Sequence, residues 1–208
     1  KEEIIRKVER GIETFDMKKK TCLMTDWSKV GIGFRLIQKN CGCDSESPNC
    51  CMDGWGLVFA SGRFLTPAES RYSPVEGECL AAAWAMVKAK YFLLGCESFV
   101  LATDHKPLLG ILSDRSIEDV ENPRLQRLKE KTLRFNFSIC HVPGKLNNVA
   151  DAASRYPTTQ PEEGDTLGQL DFMSMEPTEQ EIEESLAVEQ ELLGISEGAV
   201  YGLYMSDT

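Results

Sequence analysis

The stretch SPVEGECLAAAWAMVKAKYFLLGCESFVLATD, residues 73–104, decides the fold, because a helical pattern leads directly into a nearly all-apolar run. Ser73, Pro74 and Glu76 suit the N-cap, N1 and N3 positions of an α-helix, and the Ala-rich residues after them continue it. The run SFVLATD, residues 98–104, is typical of a strand that is buried on both faces and paired in parallel. The stretch therefore predicts a helix followed by a central strand.

Further strand and helix patterns lie on both sides of this stretch. Runs rich in strand formers, separated by turn residues, precede it: TCLMTD (21–26), GIGFRLIQK (31–39) and GWGLVFASG (54–62). A basic helix, an alternating strand and a final helix follow it: residues 122–134, 135–142 and 148–155. Three antiparallel strands followed by parallel strands predict an α/β fold with a mixed five-stranded sheet and flanking helices.

Charge is distributed unevenly along the 208 residues. The net charge is −10, but residues 158–208 carry 13 of the 33 acidic side chains and no Lys or Arg. These residues predict an acidic, flexible tail, with one thin amphipathic pattern at 179–193. Residues 1–16 carry a helical stripe of apolar side chains and predict an amphipathic helix. The body between them is mildly basic, which is compatible with a polyanionic partner.

Composition excludes several classes of protein. Hydrophobic residues make up 42% and charged residues 27% of the chain, as in ordinary globular proteins. No apolar run approaches the roughly 18 residues needed to span a membrane, and the first residues lack the apolar core of a secretory signal. We therefore expect neither a membrane partner nor secretion.

The eight cysteines fall into two groups. Four stand singly in apolar stretches, where a small thiol fills a core and a reducing compartment is favoured: Cys22, Cys79, Cys96 and Cys140. The other four crowd into a polar insert over residues 40–54: Cys41, Cys43, Cys50 and Cys51. Clustered thiols suggest zinc, but the vicinal pair and the lack of a C-x-x-C spacing suit a tetrahedral ion poorly. A disulfide and free thiols stay open as alternatives.

Carboxylates interrupt the apolar elements at informative places. Asp26 ends the first strand pattern, Asp104 ends the buried strand, and Glu78 lies near the start of the long helix. Buried carboxylates need metal ions or hydrogen-bond donors, and oxygen ligands favour a hard cation such as Mg²⁺. Asp151 opens the final helix, where a helix-dipole role would also suit it. Taken singly, each acid could be an ordinary turn or cap residue.

Four segments in order carry a resemblance to a known family. They are TDWSKVGIG (25–33), RFLTPAESRYSPVEGECLAAAWA (63–85), VLATDHKPLLGIL (100–112) and ICHVPGKLNNVADAASR (139–155). They resemble the ordered motifs of the RNase H domain in gypsy-type long-terminal-repeat retrotransposon polyproteins. The resemblance covers about residues 1–157. It implies an RNase H-like domain over 21–157, the end of a reverse-transcriptase connection segment over 1–20 and an acidic linker or tail over 158–208.

The resemblance implies a two-metal nuclease that cuts the RNA strand of an RNA–DNA hybrid. Asp26 would bridge two Mg²⁺ ions, for which Mn²⁺ can substitute, while Glu78 and Asp104 would hold one ion and Asp151 the other. The RNA strand would be selected through its 2′-hydroxyl groups and the groove shape of the hybrid. Glu76 is a rival to Glu78, but it already suits the N3 position of a capping box.

Two histidines and one loop bear on the implied chemistry. We interpret His105, directly after Asp104, as a helix-start or packing residue, with contact to the substrate as the alternative. His141, in the last strand pattern, is interpreted as structural. Many RNase H enzymes place a helpful histidine in the loop before the last carboxylate. This chain has PGKLNN (143–148) there, which puts a proton shuttle at that position in doubt.

Basic side chains offer candidate contacts to a nucleic-acid backbone. On the predicted helix and near Asp151 these are Arg124, Arg127, Lys129, Lys131, Arg134, Lys145 and Arg155. The alternative is an ordinary solvated face. The opposite side of the same helix should pack on the sheet through Leu125, Leu128, Leu133 and Phe135.

Two rival functions follow from the same residues. A domesticated copy of such a domain would keep the fold as a catalytically silent nucleic-acid-binding or scaffolding module, and a generic metal-dependent nuclease would act on duplex DNA. The chain has no aromatic-x-Asp-Asp polymerase motif, so we expect its polymerase partner to be another domain of a parent polyprotein. An element of this kind would act inside the cell, in a cytoplasmic particle or the nucleus.

Overall fold

The computed structural model describes residues 11–45, 47–48, 50–51 and 54–162. The predicted helix over 179–193 and the first ten residues of the predicted helix over 1–16 lie outside these residues. None of the helices in the described part of the chain is long and apolar enough to cross a membrane.

The strands in the described part of the chain form one mixed sheet. Its strands are β1 (Thr21–Trp27), β2 (Gly31–Lys39), β3 (Trp55–Phe64), β4 (Phe99–Thr103) and β5 (Phe137–His141). The spatial order is β3-β2-β1-β4-β5. The β1–β2 and β2–β3 pairs are antiparallel, whereas β1–β4 and β4–β5 are parallel. The predicted α/β class with a mixed five-stranded sheet is confirmed.

Helices flank this sheet. They are α1 (Pro74–Lys88), α2 (Lys90–Leu93), α3 (Pro107–Leu109), α4 (Pro123–Thr132) and α5 (Asn148–Arg155), with a π-helical turn at Gly110–Asp114 and 3₁₀ turns at Glu69–Arg71 and Gly144–Leu146. The predicted capping box is present at the N-terminus of α1. The Ser73 side chain accepts from the Glu76 backbone N–H, and the Glu76 side chain accepts from the Ser73 backbone N–H. Asn122 caps α4 by accepting hydrogen bonds from the backbone N–H groups of Arg124 and Leu125.

Helices α1 and α5 cover opposite faces of the sheet. Phe34 on β2 contacts Trp84 of α1, with ring centroids 5.3 Å apart. A Cβ on the adjacent Gly33 would lie 2.6 Å from the Ala153 Cβ and 2.7 Å from the Ala150 carbonyl oxygen, both in α5. Since successive strand residues point to opposite faces, these contacts put the helices on opposite sides. Gly33 therefore lets α5 lie directly on the strand backbone.

The main core lies between the sheet and α1. It contains fully buried side chains of three strands and the helix: Leu23, Ile32, Phe34, Leu36, Leu80, Met86 and Leu101. Of the four single cysteines, Cys22 and Cys79 are buried as predicted, while Cys96 and Cys140 are half-buried. Leu125 and Leu128 of α4 and Phe135 after it join this core, but Leu133 is 61% exposed and does not pack as predicted.

One buried ion pair ties the end of β3 to the segment before α1. The guanidinium of Arg63 donates from Nη1 and Nη2 to the two carboxylate oxygens of Glu69, each at 2.9 Å. The Thr66 backbone N–H also donates to this carboxylate at 2.9 Å. Both charged side chains are almost completely buried. The bidentate geometry offsets much of the cost of burying them.

The prediction of a helix over residues 1–16 is wrong for residues 11–16, which form no helix. The Glu13 N–H donates to the Leu57 carbonyl of β3 at 2.8 Å, and the Asp16 N–H donates to the Gln38 side chain at 2.8 Å. Gln38 in turn donates to the Asp16 carbonyl at 2.7 Å. These backbone groups are bonded to the sheet, so they are not available for the i to i−4 bonds of a helix.

Candidate active site

Three predicted acids meet at one edge of the sheet. Asp26 lies near the end of β1, Asp104 follows β4 directly, and Glu78 is in the second turn of α1. Because β1 and β4 are parallel neighbours, their carboxyl ends lie at the same edge. Carboxylate oxygens of Asp26, Glu78 and Asp104 all lie within 4.8 Å of one another. We call these three side chains the acid cluster.

Asp151, the fourth predicted acid, faces the acid cluster from α5. Its charge raises the pKa of Asp26, although its oxygens are not part of the 4.8 Å group. The Arg155 Nε donates to Asp151 Oδ1 at 2.7 Å, one helical turn along. The Ser154 hydroxyl donates to Asp26 Oδ2, and its Oγ is also within hydrogen-bond distance of the Asp151 backbone carbonyl. Helix α5 therefore contributes both an acid and a hydroxyl at this edge.

Glu78 is in an unusually unfavourable environment for a charged carboxylate. Burial, and then repulsion from Asp26 and Asp104, raise its pKa from 4.5 to about 9, against the lowering effect of a hydrogen bond from the Trp27 backbone. Its Oε2 atom is buried and has no hydrogen-bond partner among the described residues. A buried carboxylate without compensating donors is costly unless it is protonated or binds a cation.

Asp26 shows the same effect in weaker form. Burial raises its pKa from 3.8 to about 6, the hydrogen bond from Ser154 lowers it, and the charges of Asp151 and Asp104 raise it again. The local sequence permits this burial because Gly77 has no side chain. A Cβ there would lie 2.3 Å from the Trp27 ring, so the glycine lets α1 pack against the end of β1.

The donor set fits a hard divalent cation. The acid cluster offers oxygen ligands only, which is the preference of Mg²⁺ and Mn²⁺. A divalent cation would provide a partner for Oε2 of Glu78 and would offset the repulsion that raises the pKa of two of the acids. The chemistry of the site therefore supports metal binding by these residues.

The loop after β5 closes the site beside Asp104. A Cβ on Gly144 would lie 2.7 Å from Asp104 Oδ2, so a side chain there would require the Asp104 carboxylate to shift. Lys145 follows on the exposed surface, and the buried Asn147 side chain donates to the Thr25 carbonyl at 2.8 Å. Asn147 directly precedes α5, but its side chain bonds to β1 and does not cap the helix. It thereby fixes the start of α5 next to Asp26.

The two histidines lie in different environments. His105 is half-buried, its backbone N–H is bonded to the Thr103 hydroxyl at 3.1 Å, and its carbonyl accepts from the Leu108 N–H at the start of α3. His141 is the last residue of β5 and is exposed. Glu76 serves the capping box and also accepts from Asn122 at 3.0 Å.

The predicted basic residues do not share one environment. Arg124 donates to Glu76 Oε1 at 2.7 Å and lies 4.3 Å from the Tyr72 ring centroid. Arg127 is exposed and lines an open cleft of about 630 Å³ together with Glu76 and Arg124. The remaining side chains differ in exposure: Lys131 is half-buried, whereas Arg134, Lys145 and Arg155 are exposed.

Lys129 does not lie on the surface as predicted. It is 4% exposed, and its ammonium group donates to the carbonyls of Ile111, at 2.6 Å, and Arg115. The long side chain points from α4 under the π-helical turn, where these carbonyls need donors. Lys129 therefore fixes a turn and is not available to contact a nucleic-acid backbone.

The four cysteines of the insert also lie close together. The Sγ atoms of Cys41, Cys43, Cys50 and Cys51 all lie within 4.8 Å of one another. The vicinal pair, whose spacing predicts a poor fit to one tetrahedral ion, nevertheless places both of its sulfurs near the other two.

Sequence reasoning missed two residues that shape the acid site. Ser154 and Asn147 hold Asp26 and its strand from α5, and neither stands out by residue type. The only signal was position, because Ser154 follows Asp151 by three residues and shares its helix face.

Comparison with known proteins finds one family model and several curated relatives. Residues 16–135 match the model described as RNase H-like domain found in reverse transcriptase. The chain is 33% identical over 135 residues to the retrovirus-related Pol polyprotein from transposon opus of Drosophila melanogaster, covering 65% of the chain. It is 35% identical over 140 residues to that from transposon gypsy of the same organism, covering 67% of the chain. The chain spans only 12% of the length of each polyprotein.

Among solved structures, RNase H1 from the archaeon Halobacterium salinarum aligns with 66% of this chain and 96% of its own. The sequence identity is 21% and the TM-score is 0.45.

Proposed function

Because the chain belongs to the RNase H-like domain family found in reverse transcriptases, we propose that it is a ribonuclease H that hydrolyses the RNA strand of an RNA–DNA hybrid. The observation that carries this proposal is the convergence of the Asp26, Glu78 and Asp104 oxygens within 4.8 Å. Similarity to Pol polyproteins supports a parent chain in which a reverse-transcriptase polymerase domain is the partner.

The four acids would hold the divalent cations. Two Mg²⁺ ions, or Mn²⁺ in their place, would supply an activated water and charge stabilisation of the departing oxygen when bound at Asp26, Glu78, Asp104 and Asp151. In the metal-free protein, burial and mutual repulsion keep a proton on Glu78 at neutral pH. That proton would leave when the site is loaded.

Neighbouring residues hold the acids in position for this chemistry. Ser154 fixes one oxygen of Asp26, and Arg155 fixes one oxygen of Asp151. Gly144 leaves room for Asp104 at the mouth of the site. Preorganised charged groups do not have to reorient during the reaction, which lowers its barrier.

Exposed basic residues would hold the hybrid through its phosphates. Arg127 in the cleft beside α1, and Lys145 and Arg155 near Asp151, have the exposure that this role needs. Arg124 and Lys131 lie on the same helix as Arg127 and would add charge to this surface. Selection of the RNA strand would rest on its 2′-hydroxyl groups.

The test is cleavage of an RNA–DNA hybrid with each strand labelled in turn. With Mg²⁺ we expect cutting of the RNA strand only, and in Asp26→Asn a loss of rate on the order of 10³-fold. Duplex DNA and duplex RNA are offered in parallel. Glu97→Gln is the matched control, because it removes an exposed carboxylate before β4, at the end of that strand away from Asp104.

Other outcomes would separate the rival functions. Hybrid binding without cleavage by the full chain, in Mg²⁺ and in Mn²⁺, would contradict the nuclease proposal and support a silent binding module. Cutting of duplex DNA at the rate of the hybrid would support a generic metal-dependent nuclease.

A further inference from the structure

We propose that Cys41, Cys43, Cys50 and Cys51 form a second metal site, which binds one thiophilic cation of the zinc type through four thiolates. These residues lie in the insert between β2 and β3 and are called the sulfur site below. The inference is independent of the proposed nuclease activity.

The spacing of the sulfur atoms supports one tetrahedral ion. The Cys41 Sγ lies 3.5 Å from both the Cys43 Sγ and the Cys50 Sγ, and the Cys51 Sγ lies 3.6 Å from the Cys43 Sγ. A tetrahedral ion with zinc–sulfur bonds of about 2.3 Å would place its sulfurs about 3.8 Å apart. Three of the six sulfur–sulfur distances are therefore close to the edge length of the coordination tetrahedron, and all six are within 4.8 Å.

The surrounding loop is shaped around these sulfurs. A Cβ on Gly54 would lie 2.7 Å from the Cys41 Sγ and 2.8 Å from the Cys51 Cβ, so the glycine makes room for the cluster. The Trp55 indole N–H donates to the Cys50 Sγ at 3.4 Å. Hydrogen bonds of this kind to a ligand sulfur orient it and stabilise its thiolate form.

A positive charge lies beside the cluster. The Lys39 ammonium group donates to the backbone carbonyls of Cys43 and Ser45, the latter at 2.8 Å. Four thiolates around a divalent cation leave a net charge of about −2, which a neighbouring ammonium partly compensates. Thiols are weak hydrogen-bond donors, so their contacts with one another give little reason for four of them to converge.

The sulfur site is separate from the acid cluster. Along the antiparallel β1–β2 pair, Thr21 is opposite Gln38, next to the insert, whereas Asp26 is opposite Gly33. Five residues of β1 therefore separate the two ends, or about 17 Å at 3.4 Å per residue. Sulfur ligands select zinc and carboxylate oxygens select Mg²⁺, so the two sites take different ions. A cation at the sulfur site would clamp the insert and the ends of β2 and β3.

Metal content and a cobalt spectrum test the proposal on the full chain. Purified under reducing conditions with excess Mg²⁺, the protein should carry one zinc per chain by elemental analysis. After exchange, Co²⁺ should give the visible bands of a tetrahedral site and sulfur-to-metal charge transfer. Cys43→Ser should weaken zinc binding on the order of 10²-fold or more. Cys96→Ser, which changes a half-buried cysteine outside the insert, should keep the zinc.

A direct measurement on the unsubstituted chain covers the case in which Cys43→Ser does not fold. Zinc added to chelator-stripped, reduced protein should raise its melting temperature and quench its reactivity toward a thiol reagent at four of the eight cysteines. The proposal is overturned by a Co²⁺ spectrum without sulfur charge transfer, or by equal zinc binding in Cys43→Ser and Cys96→Ser. Disulfides within the insert, with no zinc uptake after reduction, would overturn it as well.

Discussion

The Ser154 hydroxyl donates a hydrogen bond to Asp26 Oδ2 and so joins α5 to β1 across 128 positions of sequence. This bond favours the ionised form of Asp26, against burial and the nearby acids that raise its pKa to about 6. The Ser154 Oγ also lies 2.9 Å from the Asp151 carbonyl oxygen. One side chain thus links two of the four predicted metal ligands.

Replacing this hydroxyl should weaken both the fold and the site. Ser154→Ala removes a donor to a carboxylate, and we expect a loss of about 1–3 kcal/mol in the free energy of unfolding. The pKa of Asp26, followed by carboxyl NMR, should rise further. Ser70→Ala is the control, because Ser70 is exposed and its hydroxyl donates to the nearby Pro67 carbonyl and not to a carboxylate. An unchanged Asp26 titration in Ser154→Ala would contradict the role assigned to the hydroxyl.

The stability of the metal-free protein should fall as pH rises. The folded-state pKa of Glu78, about 9, lies above its unfolded value of 4.5. Its contribution to stability is therefore fully present below pH 4.5 and is lost progressively as pH rises toward 9. With a chelator present, the free energy of unfolding should decline over this window more steeply than in Glu78→Gln, by at most about 1.4 kcal/mol per pH unit.

Glu130→Gln, on the exposed side of α4, controls for the loss of one acidic side chain. Parallel pH profiles for the unsubstituted protein and Glu78→Gln would mean that Glu78 is ionised in the metal-free fold. With Mg²⁺ at pH 8, the unsubstituted protein should be stabilised more than Glu78→Gln, because only the former can supply this carboxylate to a cation.

Glu76 should show the opposite dependence. Burial alone would raise its pKa, but hydrogen bonds from Ser73, Asn122 and Arg124 outweigh burial and lower the pKa from 4.5 to about 2. Its contribution is present above pH 4.5 and is lost as pH falls toward 2. Glu76→Gln should cost about 1–2 kcal/mol at pH 7 and much less near pH 2, as measured by urea unfolding. Retention of hybrid cleavage would separate Glu76 from Glu78, whereas its loss would reopen the choice between them.

Removing only one partner of the Arg63–Glu69 ion pair should strongly lower the free energy of unfolding. Glu69→Ala leaves a guanidinium 1% exposed without its carboxylate, and we expect a loss of about 3–5 kcal/mol. Changing both residues, as Arg63→Met with Glu69→Leu, should recover more than half of that loss. A double-mutant cycle by chemical denaturation measures the coupling. Additive losses would show that the pair is not coupled.

Gly33→Ala should push α5 away from the sheet. The new Cβ would meet the Ser154 backbone nitrogen at 2.6 Å and the Ala150 carbonyl at 2.7 Å, and backbone atoms cannot rotate aside. We expect a loss of about 1–3 kcal/mol and a drop in hybrid cleavage, because Asp151 and Ser154 move with the helix. Gly110→Ala is the matched control, since nothing lies within 4 Å of a Cβ there. Equal behaviour of the two variants would contradict this account.

Much of this architecture follows from local sequence. Ser73, Pro74 and Glu76 predict where α1 begins, and the apolar run after the helix predicts β4. Both features can be predicted because helix caps and hydrophobic periodicity depend on residues that are close together in the sequence. The positions of Asp26 and Asp104 at strand ends predict their meeting once β1 and β4 are placed side by side. Residue type and spacing were sufficient for these features.

The predictions that were wrong share one physical cause, which is contact between segments that are distant in the sequence. Residues 11–16 have a helical pattern, but hydrogen bonds to Leu57 and Gln38 hold them along the sheet. Lys129 suits a solvated helix face, but two carbonyls of the turn before α4 bind its ammonium group. No window of local sequence contains the partners that decide these cases.

The arrangement of β1 and α5 has a consequence for synthesis on the ribosome. Asp26 emerges early, whereas Asp151 and Ser154 belong to the last helix of the described fold. Contacts between such distant segments form only after both have left the exit tunnel. A nascent chain that has not yet extruded α5 therefore holds an incomplete acid set, so the site can be completed only after the last helix of the described fold has emerged.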